Sequence, residues 1–392
     1  MVFIYQRMLP YHVSRFEALS QAFSFKGKTC LAIEVSFTDS SYGDLGDKHG
    51  ADQNGTYFSK ECLFHGSDYL NLRPSEVADA VENALAAIKP SVVFSPAPAF
   101  AEGAGAMHYR IKHDVTWILM DDAWSVTDQR GWITRLVKRQ FYRYVDGGFL
   151  PSPMHGEYFS GLNVPKERQR YGVDVVADSS EATEDSESIH ITGNYFLFVG
   201  RLIQRKRLDV VLKALAELTD REVKLVVIGD GPVEKNFKEI SVNSGVDKNV
   251  LWLGRRSNVE ARQIMFHARA LVVPSANETW GLVVNEAWQA GLPILGSDTV
   301  GALRATATPE TNWMLMPVGD VDKWLLAMEK LLSLSVEERA GIVQRGKHLA
   351  EQHSISAHVK SALELAELPR RRKPLLPVGL VARLWKGKTV IW

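Results

Sequence analysis

Cysteine is nearly missing from this chain: its 392 residues hold two, Cys30 and Cys62, with no paired spacing and no Cys/His cluster. That excludes a disulfide framework, and no metal site is expected. Net charge is missing as well. The 46 basic residues balance the 46 acidic ones, which argues against a general nucleic-acid binder. No apolar run reaches the roughly 18 residues of a membrane-crossing helix. The opening MVFIYQRMLP is too short, and broken too early by Arg7, to be a signal peptide. The expectation is a soluble, reduced, cytoplasmic protein, long enough for two domains with their own cores.

A complete glycine fingerprint is also lacking. The loop at residues 6–11, after the first apolar run, has no glycine, and Gly229-Asp-Gly-Pro232 supplies only part of GxGxxG. An NAD-dependent oxidoreductase is therefore disfavoured.

What is present is alternation. Short apolar runs at residues 2–5, 29–35, 91–94, 115–119 and 147–150 alternate with helical periodicity, clearest at residues 74–88, where Val77, Val81, Leu85 and Ile88 share a face and Ser75 is the expected N-cap. The Ser/Asp/Gly-rich residues 38–55 read as a loop. From residue 195 the pattern repeats, with strands expected at 195–199, 223–228, 250–253, 271–273, 294–295 and 314–316. Strands alternating with helices imply parallel, doubly wound sheets. Two Rossmann-like domains are thus expected: residues 1–172, and residues 191–365. Between them, residues 173–190 form an acidic linker, because residues 171–188 hold six carboxylates, Asp174 among them, and no cation. Residues 366–392 form a tail, which from Leu368 on holds seven cations and no acid. It is expected to pack back on the first domain, the alternative being contact with an anionic membrane surface.

Candidate chemistry gathers in the second half. The stretch LVVPSANETWGLVVNEAWQAGLPILGSD (residues 271–298) reads as strand, loop, helix and strand, with Glu278 in the loop and Glu286 in the helix. Gly281, Leu282 and Val283 fall at the helix start, where unpaired N–H groups attract phosphate and Gly281 lets it approach. Gly200 and Arg201 follow one strand, with Lys206 five residues beyond Arg201. A forked guanidinium and an ammonium at a strand end suit a diphosphate, although two surface cations would look the same. Gly229, and Gly254 with Arg255, end neighbouring strands. In the first half Asp121 and Asp122 end the strand WILMDDAW, either at a ligand site or as local caps. His12 and Arg15 lie on the first helix, either lining a site or on its surface.

Taken together, VGRL with Lys206, GDGP, LWLGRR, ETWGLVVNEAWQAGLPILGSD and MPVGDVD resemble the retaining glycosyltransferases of family 4, glycosyl transferases group 1, over about residues 195–320. The resemblance implies an α/β GT-B fold, two Rossmann-like domains whose parallel sheets face a central cleft. It implies transfer of a sugar from a nucleotide-diphosphate sugar, without metal or other cofactor, to a sugar, glycan, lipid-linked or small-molecule acceptor on the first domain. Arg201 and Lys206 match positions that neutralise the diphosphate, and Gly281, Leu282 and Val283 match the helix start that meets the phosphates. Glu286 matches the carboxylate on the ribose hydroxyls, Glu278 the one near the donor sugar, and Gly254 with Arg255 the border of the base. The first half resembles the family more loosely, through LPYHVSRFEAL and WILMDDAW. Asp121 stands where many relatives have a histidine that contacts the transferred sugar. No nucleic-acid partner is implied. The place of action implied is the cytoplasm, or the inner face of a membrane reached through the basic tail. A catalytically degenerate nucleotide-sugar-binding protein and a nucleotide-sugar epimerase are the alternatives.

Overall fold

The computed structural model describes residues 1–38, 58–128, 131–177, 191–373, 381–382 and 384–389. The chain forms two compact units, Met1–Ala177 together with Ile355–Trp392, and Asp178–Ser354.

The first unit begins β1 (Val2–Tyr5), α1 (Pro10–Phe25), β2 (Leu31–Thr38), β3 (Ser59–Asp68), α2 (Pro74–Ile88), β4 (Val92–Ser95) and α3 (Ala101–Lys112). It continues β5 (Thr116–Met120), α4 (Trp132–Phe141), β6 (Gly147–Leu150), α5 (Pro153–Ser160) and β7 (Gln169–Tyr171). The strands form one parallel sheet in the order β3-β2-β1-β4-β5-β6-β7. The central strands are mostly apolar because helices cover both faces. Phe3 shows the packing: its ring stacks on Phe94 at 4.2 Å and meets the edge of Phe16 at 5.5 Å. Each such buried ring contributes roughly 1.5–3 kcal/mol by transfer from water.

The second unit holds β8 (Tyr195–Val199), α6 (Leu208–Glu217), β9 (Lys224–Ile228), α7 (Glu234–Asn243), β10 (Val250–Gly254), α8 (Asn258–His267) and β11 (Ala270–Val273). There follow α9 (Leu282–Gln289), β12 (Ile294–Ser297), α10 (Gly301–Thr306), β13 (Leu315–Met316), α11 (Val321–Ser333) and α12 (Val336–Gln352). Its sheet is also parallel, ordered β10-β9-β8-β11-β12-β13.

Helix α13 (Ile355–Ala366) corrects the domain boundary expected at residue 365. It returns to the first unit, where buried Ala362 and Leu365 complete the core around Ile118 and Phe149. Polar ties fix its register: Ser361 Oγ donates to the Tyr171 carbonyl at 2.7 Å, and Arg170 pairs with Glu364 at 2.5 Å. The acidic linker is corrected at its start. Val173, Val175 and Val176 are buried in the first unit, and Asp174 pairs with Arg15 instead of facing water. The rest of that linker, 178–190, and nearly all of the expected loop at 38–55 lie outside the described residues. A third correction concerns α2, whose N-cap is Arg73 with Pro74 as the first helical residue, so Ser75 lies inside the helix. Proline's fixed φ suits that first position.

The tail packs on the first unit. The backbone N–H of Arg371 donates to Asp146, Trp385 Nε1 donates to the Pro98 carbonyl at 2.6 Å, and Lys388 exchanges backbone hydrogen bonds with Ala99 and Ala101. Asp146 is fully buried and also takes two hydrogen bonds from Arg110, at 3.1 and 3.2 Å, and one from the Trp117 backbone at 2.8 Å. No helix among the described residues is long and apolar enough to cross a membrane.

Candidate functional site

In an open parallel sheet, ligands bind beyond the carboxyl ends of the strands where the strand order reverses. In the second unit that point lies at β8, which has β9 on one side and β11 on the other. The loops leaving β8 and β11 carry residues 200–206 and 274–281, the two stretches singled out in the sequence.

Close backbone approach holds these loops in place. The Gly200 N–H donates to the Ile228 carbonyl at 3.0 Å, Leu202 to the Asp230 carbonyl at 2.7 Å, and Gly229 to the Gly254 carbonyl at 2.8 Å. At Gly229, with φ +132°, a Cβ would sit 2.0 Å from the Gly200 oxygen, so no other residue fits. The β11 loop is tied to the β8 loop by the Ala276 N–H on the Arg205 carbonyl at 2.7 Å. Its far end is anchored by Trp280, which is buried, donates from Nε1 to Asn285 Oδ1 at 2.8 Å and packs against His353 at 5.1 Å.

Side chains then converge. The Lys206 ammonium pairs with the Glu278 carboxylate, which also accepts from Ser275 Oγ at 3.1 Å. Gly281 caps α9 in the left-handed conformation, φ +98°, with its Cβ position 3.2 Å from the Glu278 side chain. The first backbone N–H groups of α9, from Leu282 and Val283, lack intrahelical partners by the geometry of any helix start. Glu286 lies one turn beyond Leu282 on the same helix face and is half-buried. Burial pushes its carboxyl up from the usual range, with the Arg262 charge opposing. Arg201 is exposed just past β8. Arg255 pairs with Asp230 at 2.6 Å on the open surface, so it closes the β9 and β10 ends against each other. The geometry thus joins Lys206, Glu278 and Gly281 directly, and places Gly200, Arg201, Gly229, Gly254, Arg255, Leu282, Val283 and Glu286 on the loops and the helix that border them.

The first unit has its own reversal point, β1 between β2 and β4. A cavity of about 210 Å³ opens there, lined among others by Tyr5, Gln6 and Arg7 after β1, Pro96 after β4 and Asp121 after β5. The glycine-free loop after β1 is held by Glu34, whose Oε1 accepts from the Met8 N–H at 2.7 Å while Lys60 pairs with its other oxygen at 3.0 Å. A lone carboxylate in the apolar run LAIEVSF is the sequence signal for that role, and the reading above passes over it. Asp121 takes a local structural part: Oδ1 accepts from the Ala123 N–H at 2.9 Å and Oδ2 from the Tyr142 hydroxyl at 3.3 Å. It caps a turn and lines the cavity at once.

His12 and Arg15 line this cavity too, and Arg15 is only 4% exposed. Its Nε donates to the Val175 carbonyl at 2.7 Å and its Nη1 to Asp174 at 3.5 Å. Burial pushes the Asp174 carboxyl up, with Arg15 opposing. His12 Nδ1 accepts from the Leu9 N–H at 3.1 Å, and burial, then Arg15, keeps the ring neutral. His358 of α13, absent from the sequence reading, donates from Nδ1 to the Gly172 carbonyl at 2.7 Å. Its ring titrates at about 3 because it is buried and then because Arg15 is near.

With this geometry in view, the similarities fall into place. Residues 180–349 match the family model described as Glycosyl transferases group 1. D-inositol 3-phosphate glycosyltransferase of Corynebacterium urealyticum is 29% identical over 199 residues, 48% of this chain and 46% of that protein. The matched stretch is thus less than half the length of that relative. Over 93% of this chain the fold follows the lipopolysaccharide outer core galactosyltransferase WaaB, with a TM-score of 0.67 at 19% identity and 98% of that chain covered. Anabaena HepE in complex with UDP-glucose covers 94% of this chain and 99% of its own at a TM-score of 0.68 and 15% identity. The chain therefore has the two-sheet α/β fold of the GT-B glycosyltransferases, and its second unit holds the stretch that matches the glycosyl transferases group 1 model.

Proposed function

We propose that this chain is a retaining glycosyltransferase of the family 4 type, moving a sugar from a nucleotide-diphosphate donor seated on the second unit to an acceptor hydroxyl at the first. The observation that carries the reading is the convergence at the reversal point of the second sheet. There an ion-paired lysine, a glycine-capped helix start and an exposed arginine lie on two interlocked loops. Phosphate binding at helix starts and beside forked guanidiniums is general chemistry. HepE, similar in fold, binds UDP-glucose.

In this reading Arg201, Lys206 and the N–H groups of Leu282 and Val283 meet the diphosphate. They do most as negative charge develops on the leaving oxygen, so they stabilise the transition state more than the ground state. Glu278 does not oppose that charge, because Lys206 compensates it. Glu286 accepts hydrogen bonds from the ribose hydroxyls. Gly254 and Arg255 border the base. The anomeric carbon–oxygen bond to the diphosphate breaks, the acceptor oxygen bonds to the same face, and its proton passes to the departing diphosphate oxygen. Arg201, the helix start and a Lys206 shared with Glu278 carry the charge in place of a metal ion, so turnover in EDTA is expected. Asp121 and its neighbours contact the acceptor side.

Thermal shifts with UDP, GDP, ADP and their sugars test this directly. A nucleotide present at 100 times its Kd raises stability by about 2.7 kcal/mol, and Arg201→Ala is expected to abolish that shift. No shift with any nucleotide overturns the reading, and the anomeric configuration of the product, read by NMR, decides retention.

A further inference from the structure

Two buried side chains at the first unit's cavity have hydrogen-bonding capacity that the protein does not use. Arg15 Nη2 and His358 Nε2 are both buried without a partner, and both residues line the cavity. Arg15 is 4% and His358 3% exposed. Leaving such groups unsatisfied is costly, and native interiors rarely do so without a use.

Their polarity follows from their neighbours. A carbonyl can only accept, so His358 Nδ1 donates to Gly172 and Nε2 keeps a lone pair. The reverse holds at His12, where Nδ1 accepts from the Leu9 N–H and the ring's proton is answered by the Arg7 backbone, so His12 is satisfied within the protein. One cavity is thus lined by residues carrying an unused donor, Arg15 Nη2, and an unused acceptor, His358 Nε2. A hydroxyl both donates and accepts and so answers such a set, whereas a phosphate only accepts and leaves His358 unanswered.

Charge points the same way. Arg7 and Arg15 line the cavity against Asp121, Asp122, Asp174 and Glu102. Even with Glu102 protonated, since burial lifts its carboxyl to about 7, three carboxylates face two guanidiniums. A phosphate group would add negative charge beside them.

We propose that this cavity takes an unphosphorylated sugar ring as the acceptor, with ring hydroxyls accepting from Arg15 Nη2 and donating to His358 Nε2. This rests on the transfer reading above and narrows it, setting this chain apart from relatives whose name specifies inositol 3-phosphate. The volume of about 210 Å³ suits one ring better than an extended chain.

The test is binding to the full chain by saturation-transfer NMR, using glucose, N-acetylglucosamine and myo-inositol against glucose 6-phosphate and myo-inositol 3-phosphate. The expected result is binding of at least one unphosphorylated ring, about tenfold or more tighter than its phosphate ester. His358→Leu should weaken that ring about tenfold, the size of one buried hydrogen bond. Nucleotide binding, measured separately by thermal shift, should stay unchanged and so report an intact fold. Asp122→Asn should narrow the discrimination against phosphate about threefold. Tighter binding of the phosphate esters, no binding of any ring, or a His358→Leu chain that binds the ring as wild type overturns the proposal. If nucleotide binding fails while a ring binds, the transfer reading falls and the sugar site stands.

Discussion

The reversal points of the two sheets are built in opposite ways. In the second unit the charged groups sit nearer the rim: Arg201 is exposed, Arg255 and Asp230 pair at the surface, and Lys206 and Glu278 are mostly covered but keep 16% of each side chain exposed. In the first unit Arg15, Glu34 and Glu102 are sunk there, while Arg7, Asp121 and Asp122 are half-buried, and at the opposite, amino end of the same sheet Arg110 and Asp146 are buried as well. A rim charge costs the fold little and stays available to a ligand. A sunk charge must be answered inside the protein, and its loss is felt as stability. The first unit's sunk charges therefore weigh on stability whatever ligand they also meet, and the second unit's are disposed for binding.

The largest effect of a sunk charge is expected at Asp146, at the amino end of β6. Its carboxylate answers Arg110, the Trp117 N–H and the Arg371 N–H with no exposure at all. Asp146→Ala leaves a buried guanidinium unpaired, for which about 3–5 kcal/mol of destabilisation is expected, measured by urea unfolding followed by tryptophan fluorescence. A change under about 1 kcal/mol, as a surface pair would give, would erase the distinction.

At the rim the loss should be catalytic instead. Arg201→Ala is expected to lower kcat by roughly 10²–10³, or about 2.7–4 kcal/mol of transition-state stabilisation, with unfolding unchanged within about 0.5 kcal/mol. Loss of folded protein in place of activity would show that Arg201 is structural.

Distance along the chain explains what the sequence revealed. The second unit's site comes from loops that follow strands, each a few residues long, so GRL with Lys206 and the stretch from Glu278 to Glu286 show their chemistry locally. The alternation of strands and helices made both parallel sheets readable as well. The first unit's cavity is assembled from afar: Arg15 meets Val175 across 160 positions and His358 meets Gly172 across 186. Nothing local to Ile355–Ala366 distinguishes a helix that closes the second unit from one that returns to the first, because Ala362 and Leu365 would bury equally well in either. Asp174 misled for a related reason: it sits in an acidic run, and only Arg15, on another element, gives it a buried place.

Glu102 sharpens the comparison through pH. Its folded pKa is about 7 against an ordinary 4.5, because burial disfavours the carboxylate even though the Tyr69 hydroxyl donates to it at 2.8 Å. Below pH 4.5 the group is protonated in both states and costs nothing. As pH rises through about 7 the unfolded chain ionises first and stability is lost, by on the order of 3 kcal/mol at most. Glu102→Gln keeps an acceptor for Tyr69 and removes that loss. The variant should match wild type at pH 4.5 and exceed it at pH 8 in denaturant midpoint, and equal midpoints at both would place Glu102 among solvated groups.

The smallest effect is expected in the tail, which carries rim-type charges on the unit whose other charges are sunk. Lys386 meets Asp79 at 2.6 Å, but the side chains are 35% and 56% exposed, so water and salt screen the pair. Lys386→Ala should change stability by less than about 0.5 kcal/mol, with no dependence on added salt beyond that of wild type. Trp385 is held differently, by a hydrogen bond to Pro98 and by ring packing at 5.6 Å from Phe141. Its truncation to Ala removes aromatic area and a partner for a carbonyl together, so it should cost more than Lys386→Ala by at least about 1 kcal/mol. The reverse order in urea midpoints would mean that the tail is fastened by its charge and not by Trp385, whose ring is itself 37% exposed.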